Sequence, residues 1–248
     1  MKLEFPGVLL ITGANGGLGS ELVNYLLDAG FDNIACQYRS SSDVISKVFE
    51  NHNIDYSKHC FYADLTVEED VKKLRTSINE SIGKVWGIIN MARANSNFMS
   101  WKMSKNEFQR IVDSNLTSTF LVNKEFIPDL RDSSGGRIIN ISSIIAFSGI
   151  IGASHYVSSK AGLIGLTKSL ALELSNKSIT VNALALGYFD YGIIKDVPPA
   201  MLEEIKSKIP LKRLGKIEEI AGLLKYLLSS EGAYCTGQVF HINGGLYI

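Results

Sequence analysis

The chain has 248 residues, 46% hydrophobic and 20% charged, and its 25 lysines and arginines balance its 25 aspartates and glutamates. This composition excludes a disordered chain. It also argues against a nucleic-acid partner, because proteins that bind nucleic acids normally carry an excess of basic residues. No apolar run approaches the roughly 18 residues of a membrane span. The amino terminus lacks the pattern of a signal peptide, and no cysteine or histidine spacing suggests a metal site. We therefore expect a cytoplasmic protein without a membrane partner.

Short apolar runs alternate with longer amphipathic stretches along the chain. The pattern predicts strands at residues 8–11, 33–38, 59–62, 85–90, 137–142, 179–186 and 239–242. It predicts helices at 17–29, 43–51, 68–81, 105–126, 154–174, 200–208 and 217–229, the fourth ending before Pro128. Alternating strands and helices form right-handed βαβ units around a mostly parallel sheet. We expect one α/β domain, a doubly wound sheet of about seven strands with helices on both faces.

The first predicted strand is followed by the glycine-rich run T-G-A-N-G-G-L-G at residues 12–19. Glycines between a strand and a helix let a dinucleotide pyrophosphate approach the backbone, where the helix amino terminus offers free N–H groups. The strict G-x-G-x-x-G spacing is absent, because Asn15 and Leu18 stand where it requires glycine. The position of the run nevertheless predicts a nucleotide site.

Tyr156 and Lys160 are four residues apart in a predicted helix and are therefore neighbours. A lysine ammonium beside a tyrosine, together with the positive charge of a bound nicotinamide, is expected to lower the pKa of the phenol, so that it exchanges a proton near neutral pH. Ser143 lies at the carboxyl end of the fifth predicted strand, where open α/β sheets bind ligands. We select it over Ser142, which strand alternation sends to the other face.

These motifs resemble the short-chain dehydrogenase/reductase family over essentially the whole chain. The glycine run, Asn90 and Ala92 after the fourth strand, the Y-x-x-x-K at residues 156–160 and the ending N-G-G at residues 243–245 carry the resemblance. It implies a Rossmann-type fold, with a cofactor half at about residues 1–135 and a catalytic and substrate half at 136–248. It further implies an oxidoreductase whose catalytic residues are Asn115, Ser143, Tyr156 and Lys160. Asn115 would hold a water that relays protons to the lysine.

The same resemblance implies a nicotinamide dinucleotide cofactor. The residues it places at that cofactor are Gly13, Asn15, Gly17, Leu18, Gly19, Arg39, Asp64, Leu65, Asn90, Ala92, Tyr156, Lys160, Gly187 and Phe189. Asp64 would contact the adenine, with a turn or helix-cap role as the alternative. The second strand ends without the carboxylate that pairs with the NAD ribose, and Arg39 offers a guanidinium for a 2′-phosphate. We therefore predict NADP(H), with NAD(H) possible and a solvated loop arginine as the alternative.

Within the family, the chain is most similar to bacterial 3-oxoacyl-[acyl-carrier-protein] reductases and acetoacetyl-CoA reductases. This similarity implies NADPH-dependent reduction of a 3-oxoacyl thioester, with an acyl carrier protein as a possible partner. A basic patch of Lys177, Lys212 and Arg213 is a candidate carrier surface, and ordinary solvated side chains are the alternative. A sugar, polyol or alcohol dehydrogenase and a catalytically weak dinucleotide-binding paralogue remain open.

Four positions depart from the family pattern, namely Met91, Arg93, Leu186 and Tyr191. At Arg93 the family has glycine, which permits backbone conformations that arginine resists. Residues 188–210 are predicted to form a substrate lid. The predicted helix 154–174 is apolar on more than one side, which indicates a second buried face and a homodimer or homotetramer.

Overall fold

A computed structural model describes residues 5–133 and 135–248. Within them, parallel strands pair into a seven-stranded sheet with the order β3-β2-β1-β4-β5-β6-β7. The strands are β1 Val8–Thr12, β2 Ile34–Tyr38, β3 Cys60–Tyr62, β4 Val85–Asn90, β5 Arg137–Ser143, β6 Thr180–Leu186 and β7 Val239–Ile242. Each predicted strand is present, and the pairing confirms the doubly wound Rossmann-type fold.

Helices cover both faces of the sheet. They are α1 Gly17–Asp28, α2 Asp43–Asn51, α3 Glu68–Ser81, α4 Lys105–Val112, α5 Ser118–Asp132, α6 Ile145–Ser148, α7 Ser154–Leu174, α8 Pro199–Lys208 and α9 Ile217–Leu228. Short 3₁₀ turns lie at Tyr56–Lys58, Ser100–Lys102, Ser175–Lys177 and Gly192–Asp196.

The core lies in two layers, one on each face of the sheet. Leu9 and Ile11 of β1 belong to a cluster that includes side chains of α1, α2 and α9. Val8 and Leu10 belong to a second cluster with side chains of α3, α5 and α7. Side chains alternate between the faces of a strand, so an all-apolar strand feeds both layers. Burial on both faces is why residues 8–11 of β1 are all apolar and why β1 gives the following turn a fixed position.

The predicted end of the fourth helix was wrong. It continues beyond residue 126, and α5 includes Pro128 and ends at Asp132. A proline inside a helix removes one N–H and leaves the carbonyl four residues earlier without a partner. Here both Pro128 and Lys124 lie on the exposed side, where water can hydrate that carbonyl.

The same predicted helix also contains a π turn. Residues Asp113–Thr117 join α4 to α5 with the wider i→i+5 winding. A π turn inserts an extra residue into an α-helix and is often found at functional sites. Asn115 lies in this turn, so the segment that had been predicted as regular helix presents Asn115 from an irregular backbone.

Candidate active site

The carboxyl ends of the parallel strands meet at one edge of the sheet, where a cavity of about 790 Å³ opens. The chain changes direction across the sheet between β1 and β4, the point where open α/β sheets bind ligands. Among the predicted site residues, those lining the cavity are Gly13, Asn15, Gly17, Leu18, Gly19, Arg39, Asp64, Leu65, Ala92, Ser143, Tyr156, Lys160, Gly187 and Phe189. Asn90 and Asn115 are not among its lining residues.

The glycine turn brings backbone close to backbone. Gly13 has a φ of +66°, and a Cβ atom there would lie 2.7 Å from the Cα of Ala92. A Cβ atom on Gly19 would lie 2.7 Å from the carbonyl oxygen of Gly13. Helix α1 begins at Gly17 with no side-chain cap on its first N–H groups. These N–H groups and the positive end of the helix dipole therefore lie at the cavity wall.

Asn15 has a structural function within this turn. Its Oδ1 accepts hydrogen bonds from the backbone N–H groups of Val44 at 3.0 Å and Ile45 at 2.9 Å. Both donors belong to the first turn of α2, whose N–H groups have no partners within the helix. Asn15 thus lines the cavity, as predicted, while its side chain holds α2 against the glycine turn.

Gln37 is a site residue that we did not predict. It is buried in β2, and its Oε1 accepts a hydrogen bond from the Gly13 N–H at 2.9 Å. Its Nε2 donates to the carbonyl oxygen of Ala63 at 2.7 Å. One amide therefore ties the glycine turn to the end of β3. The sequence signal for Gln37 was a polar residue in a strand that is buried on both faces, because a buried polar side chain needs hydrogen-bond partners.

Arg39 and Asp64 lie together at the end of the cavity next to β2 and β3. The carboxylate of Asp64 accepts hydrogen bonds from the Thr66 N–H at 3.0 Å and the Thr66 hydroxyl at 2.7 Å. Burial opposes ionisation, but these bonds and the positive charge of Arg39 hold the pKa of Asp64 below its ordinary value. Asp64 is therefore an anion that both shapes a turn and faces the cavity, so the two predicted roles are compatible.

Tyr156 and Lys160 lie on one face of α7, as their spacing predicts. The Lys160 Nζ lies 5.7 Å from the centre of the Tyr156 ring and donates to the carbonyl oxygen of Ile141 at 2.7 Å. The two residues are only 8% and 2% exposed. Helix α7 thus presents a phenol and an amine to the carboxyl end of β5.

Without a bound nicotinamide, the pKa of Tyr156 shifts upward, opposite to the lowering expected from the lysine and the nicotinamide charge together. Burial raises the pKa of the Tyr156 phenol, and the neighbouring Arg93 guanidinium offsets part of that rise. Burial, with a further contribution from the charge of Arg93, lowers the pKa of Lys160 to about 7. A lysine that is only partly charged at neutral pH stabilises a phenolate less than a full ammonium does. The spacing of the two residues indicated their proximity but not their burial.

The two serines at the end of β5 differ in their partners. The Ser142 hydroxyl donates to the backbone carbonyl of Lys160 at 2.9 Å and is buried. The Ser143 Oγ has only long contacts of 3.5 Å, to the Leu186 carbonyl and the Ile145 N–H. Contacts of that length are weak, so the Ser143 hydroxyl can turn toward a ligand in the cavity. The geometry favours Ser143 as the substrate-binding serine.

Asn115 connects two parts of the site. Its Oδ1 accepts a hydrogen bond from the Ala94 N–H at 2.7 Å, and its Nδ2 donates to the Ala94 carbonyl at 3.0 Å and to the Ser159 Oγ at 3.0 Å. The segment after β4 is therefore held against α7. The Asn115 backbone carbonyl also accepts a hydrogen bond, from the Thr119 hydroxyl at 3.0 Å, so the water relay assigned to Asn115 stays a prediction.

Asn90 lies in a buried amide cluster below the cavity. Its Nδ2 donates to the Oδ1 atoms of Asn123 and Asn140, each at 2.9 Å, and Asn140 donates to the Thr167 hydroxyl at 2.9 Å. The cluster joins β4, β5, α5 and α7. The Asn90 side chain therefore belongs to the buried polar network beneath the site, and its contact with the cofactor stays a prediction.

The predicted lid segment lies over the cavity, with Ile194, Val197 and Ile205 among its lining residues. A Cβ atom on Gly17 would lie 2.6 Å from the Cα of Gly192, so the lid touches the glycine turn. Tyr191 lines the cavity and packs against the core. The lid segment therefore forms an apolar wall of the cavity, and Tyr191 packs this segment against the core.

Arg93 fits its position without backbone strain. The described non-glycine residues with positive φ are Asn53, Ser178 and Lys212, so Arg93 does not adopt a glycine conformation. Leu186, which replaces a proline, continues β6 and pairs with Ser143 of β5. Met91 is buried, and its N–H donates to the Thr12 hydroxyl at 3.0 Å. The departures therefore leave the local fold intact.

The candidate basic patch does not gather at the cavity. Lys177 lies just before the amino end of β6, the opposite edge of the sheet from the cavity. The Arg213 guanidinium is paired with Glu219 through bonds of 2.8 and 2.6 Å, and the Lys212 Nζ donates to the Ser207 carbonyl at 2.6 Å. Lys177 does not join Lys212 and Arg213 in one patch, because β6 and the lid segment lie between them in the chain.

The residues present fit a dinucleotide. The close-packed glycine turn and the uncapped start of α1 suit a pyrophosphate, Arg39 and Asp64 suit an adenosine moiety, and Tyr156 and Lys160 lie at the other end. A sequence model of the short chain dehydrogenase family matches residues 7–201. The chain belongs to the short-chain dehydrogenase/reductase family.

Curated relatives in this family cover nearly the whole chain. The 3-oxoacyl-[acyl-carrier-protein] reductase FabG of Buchnera aphidicola subsp. Baizongia pistaciae is 35% identical over 245 residues, which are 97% of this chain and 97% of that protein. The acetoacetyl-CoA reductase of Acinetobacter sp. is 35% identical over 97% of this chain and 98% of its own length. The FabG of Staphylococcus epidermidis is 33% identical over 96% and 98%.

As a short-chain dehydrogenase/reductase, the protein is an oxidoreductase with a nicotinamide dinucleotide cofactor. Across the described ranges, no helix is long and apolar enough to cross a membrane. The same ranges contain no group of three or more histidine, cysteine or acidic side chains arranged to hold a metal ion.

Proposed function

We propose that this enzyme catalyses the NADPH-dependent reduction of a ketone, with a 3-oxoacyl thioester on acyl carrier protein or CoA as the substrate. The observation that carries the proposal is that Ser143, Tyr156 and Lys160 line the same cavity as the glycine turn. The relatives named as reductases of 3-oxoacyl-[acyl-carrier-protein] and acetoacetyl-CoA support the thioester.

Each proposed catalytic residue has a distinct task. Bound NADPH supplies the hydride that reduces the ketone carbon. Tyr156 donates its phenolic proton to the ketone oxygen as that oxygen gains negative charge. Ser143 donates a hydrogen bond to the same oxygen and orients the carbonyl. Lys160 binds the nicotinamide ribose and supplies positive charge beside the phenolate. Asn115 connects Lys160 to solvent through a bound water.

The preference for NADPH rests on Arg39. Its side chain is exposed at the end of the cavity next to Ser40 and Ser41. A planar guanidinium with hydroxyl neighbours matches a 2′-phosphate through paired hydrogen bonds. The Asp64 carboxylate lies close enough to Arg39 for the guanidinium to contribute to lowering the pKa of Asp64. The two side chains together would hold the adenosine end of the cofactor.

The chain is proposed to work as one domain within a homodimer or homotetramer. Both halves, residues 1–135 and 136–248, contribute to one sheet and to one cavity. Helix α7 is buried along one side, yet Leu172 is 80% exposed on the other. An exposed leucine on a helix that is also packed on the sheet fits a contact with a second subunit.

The proposal is tested by following NADPH oxidation with acetoacetyl-CoA, a free sugar and a quinone as alternative oxidants. We expect turnover of the thioester at a kcat/KM at least tenfold above that of the other compounds, and a lower rate with NADH. A sugar or quinone that is turned over as well as the thioester would contradict the substrate. A clear preference for NADH would contradict the role of Arg39.

A further inference from the structure

Arg93 stands next to the reacting atoms of the proposed site. It lines the cavity together with Ser143, Tyr156 and Lys160. Its guanidinium lies close enough to lower the pKa values of both the Tyr156 phenol and the Lys160 amine. A permanent cation is thus built into the part of the cavity where Tyr156 would meet a ketone oxygen.

The backbone on both sides of Arg93 is fixed. The Thr12 hydroxyl accepts from the N–H groups of Met91 at 3.0 Å and Ala92 at 3.2 Å. Asn115 binds both the N–H and the carbonyl of Ala94, at 2.7 and 3.0 Å. Arg93 lies between these anchored residues, so its Cα has a set position and its side chain extends from a rigid support.

The charge of Arg93 is not balanced inside the cavity. Among the described lining residues, Arg39, Arg93 and Lys160 are basic and Asp64 is the acidic one. Asp64 lies near Arg39, whose charge adds to the Thr66 hydrogen bonds in lowering the pKa of Asp64. Among the described lining residues, the catalytic end of the cavity therefore has no carboxylate. A guanidinium in such a place suits a ligand that brings a carboxylate of its own.

We propose that Arg93 binds a carboxylate on the substrate, so that this site also reduces oxo acids whose carboxylate lies one or two carbons from the ketone. The inference rests on the proposed ketone reduction and adds a substrate class to it. The distance between ketone and carboxylate in the substrate is set by the positions of Tyr156 and Arg93. Tyr156 bonds the ketone oxygen at about 2.7 Å, and the guanidinium beside the phenol reaches an oxygen about one hydrogen-bond length further along the substrate.

The chemistry balances with the carboxylate as a spectator. The ketone carbon accepts a hydride, which carries two electrons, from NADPH, and the ketone oxygen accepts the proton of Tyr156. The π bond of the C=O group is lost, the C–O single bond remains, one C–H and one O–H bond form, and NADPH is oxidised to NADP⁺. Arg93 keeps its charge and its bonds to the carboxylate throughout, and Tyr156 is reprotonated from solvent.

The test compares acetoacetate with methyl acetoacetate, which has the same ketone but no charge. The measured quantity is the ratio of kcat/KM for acid over ester, because effects of a substitution on Tyr156 or on folding cancel in that ratio. We expect a ratio of at least 10 for the wild type. The ratio should fall about 10- to 100-fold in Arg93→Leu, since hydrogen bonds to charged groups are worth about 1.5–3 kcal/mol, and Arg93→Lys should keep part of it.

Arg131→Leu is the matched control, because it removes an exposed arginine near the end of α5; it should leave the ratio unchanged. An Arg93→Leu ratio equal to that of the wild type would overturn the inference. Calorimetric titration of the NADP⁺-bound enzyme with acetoacetate separates the inference from the proposed function. Binding that weakens at least tenfold in Arg93→Leu supports the contact between Arg93 and the carboxylate, and an absence of ketone reduction would then contradict only the proposed function on which the inference rests. Turnover with an unchanged ratio leaves the proposed function standing and removes the inference.

Discussion

The Lys160 Nζ lies 5.7 Å from the centre of the Tyr156 ring and 2.7 Å from the carbonyl oxygen of Ile141. The amine is therefore held by β5 while it faces the phenol on its own helix. Burial lowers the pKa of Lys160 to about 7, assisted by the charge of Arg93. The residue that assists the tyrosine is thus itself poised to gain or lose a proton in the neutral range.

This burial predicts how stability depends on pH. Between about pH 7 and the ordinary lysine pKa near 10.4, the unfolded chain holds a proton at Lys160 that the folded protein has lost. The free energy of unfolding contributed by Lys160 therefore rises with pH in that window, by up to about 1.4 kcal/mol per unit. Lys160→Met should be more stable than the wild type near pH 7, with a gap that closes toward pH 9.5.

Urea unfolding of the cofactor-free protein between pH 6.5 and 9.5 measures this gap. Lys168→Met, an exposed position on the same helix, is the control and should show no such trend. A gap between Lys160→Met and the wild type that stays constant with pH would contradict the lowered pKa.

Arg39→Ala tests the cofactor preference. Loss of the guanidinium removes the charged hydrogen bonds to a 2′-phosphate, which are worth about 10- to 100-fold in affinity. We expect the KM for NADPH to rise by that factor and the KM for NADH to stay within about twofold, since NADH has no 2′-phosphate. Steady-state kinetics with both cofactors is the measurement. Equal changes for the two cofactors would show that Arg39 does not read the phosphate.

Gly17→Ala tests the contact between the lid and the glycine turn. The new Cβ would lie 2.6 Å from the Gly192 Cα, so the lid must move away from the start of α1. We expect weaker NADPH binding in a fluorescence titration, with the far-UV circular dichroism unchanged. Gly222→Ala is the control, because its Cβ meets nothing within 4 Å in α9 and it should stabilise the helix by roughly 0.5–1 kcal/mol. Unchanged affinity in Gly17→Ala would contradict the contact.

Arg75→Met tests a buried ion pair between α3 and α5. The Arg75 guanidinium binds both oxygens of Asp129, at 2.9 and 2.7 Å, and Asp129 is 1% exposed. Removing one partner of a buried pair costs about 3–5 kcal/mol, and the partial exposure of Arg75 reduces this to about 2–3 kcal/mol. Lys84→Met, from an exposed pair with Asp132, should change the urea midpoint little. Equal shifts in the two variants would contradict the burial of Asp129.

Local patterns predicted the elements and the proximity of Tyr156 and Lys160, because strand burial and helical spacing are properties of neighbouring residues. Relationships across the chain were harder to predict. Pro128 stays within a helix because its side of α5 is exposed, and Asn90 joins Asn123 and Asn140 from three separate elements. Arg93 was recognised as a departure, but its place beside Tyr156 depends on the fold of residues 91–94 against Thr12 and Asn115.

The central claim is that Tyr156 donates the proton in ketone reduction, and Tyr156→Phe tests it most directly. The measurement is NADPH oxidation with acetoacetyl-CoA, together with a fluorescence titration of NADPH. Tyr234→Phe, at a fully exposed tyrosine, is the control and should behave as the wild type. We predict that Tyr156→Phe loses about 10²- to 10⁴-fold in kcat while its affinity for NADPH stays within about threefold. Turnover by Tyr156→Phe within tenfold of the wild type would contradict the role of Tyr156 as the proton donor.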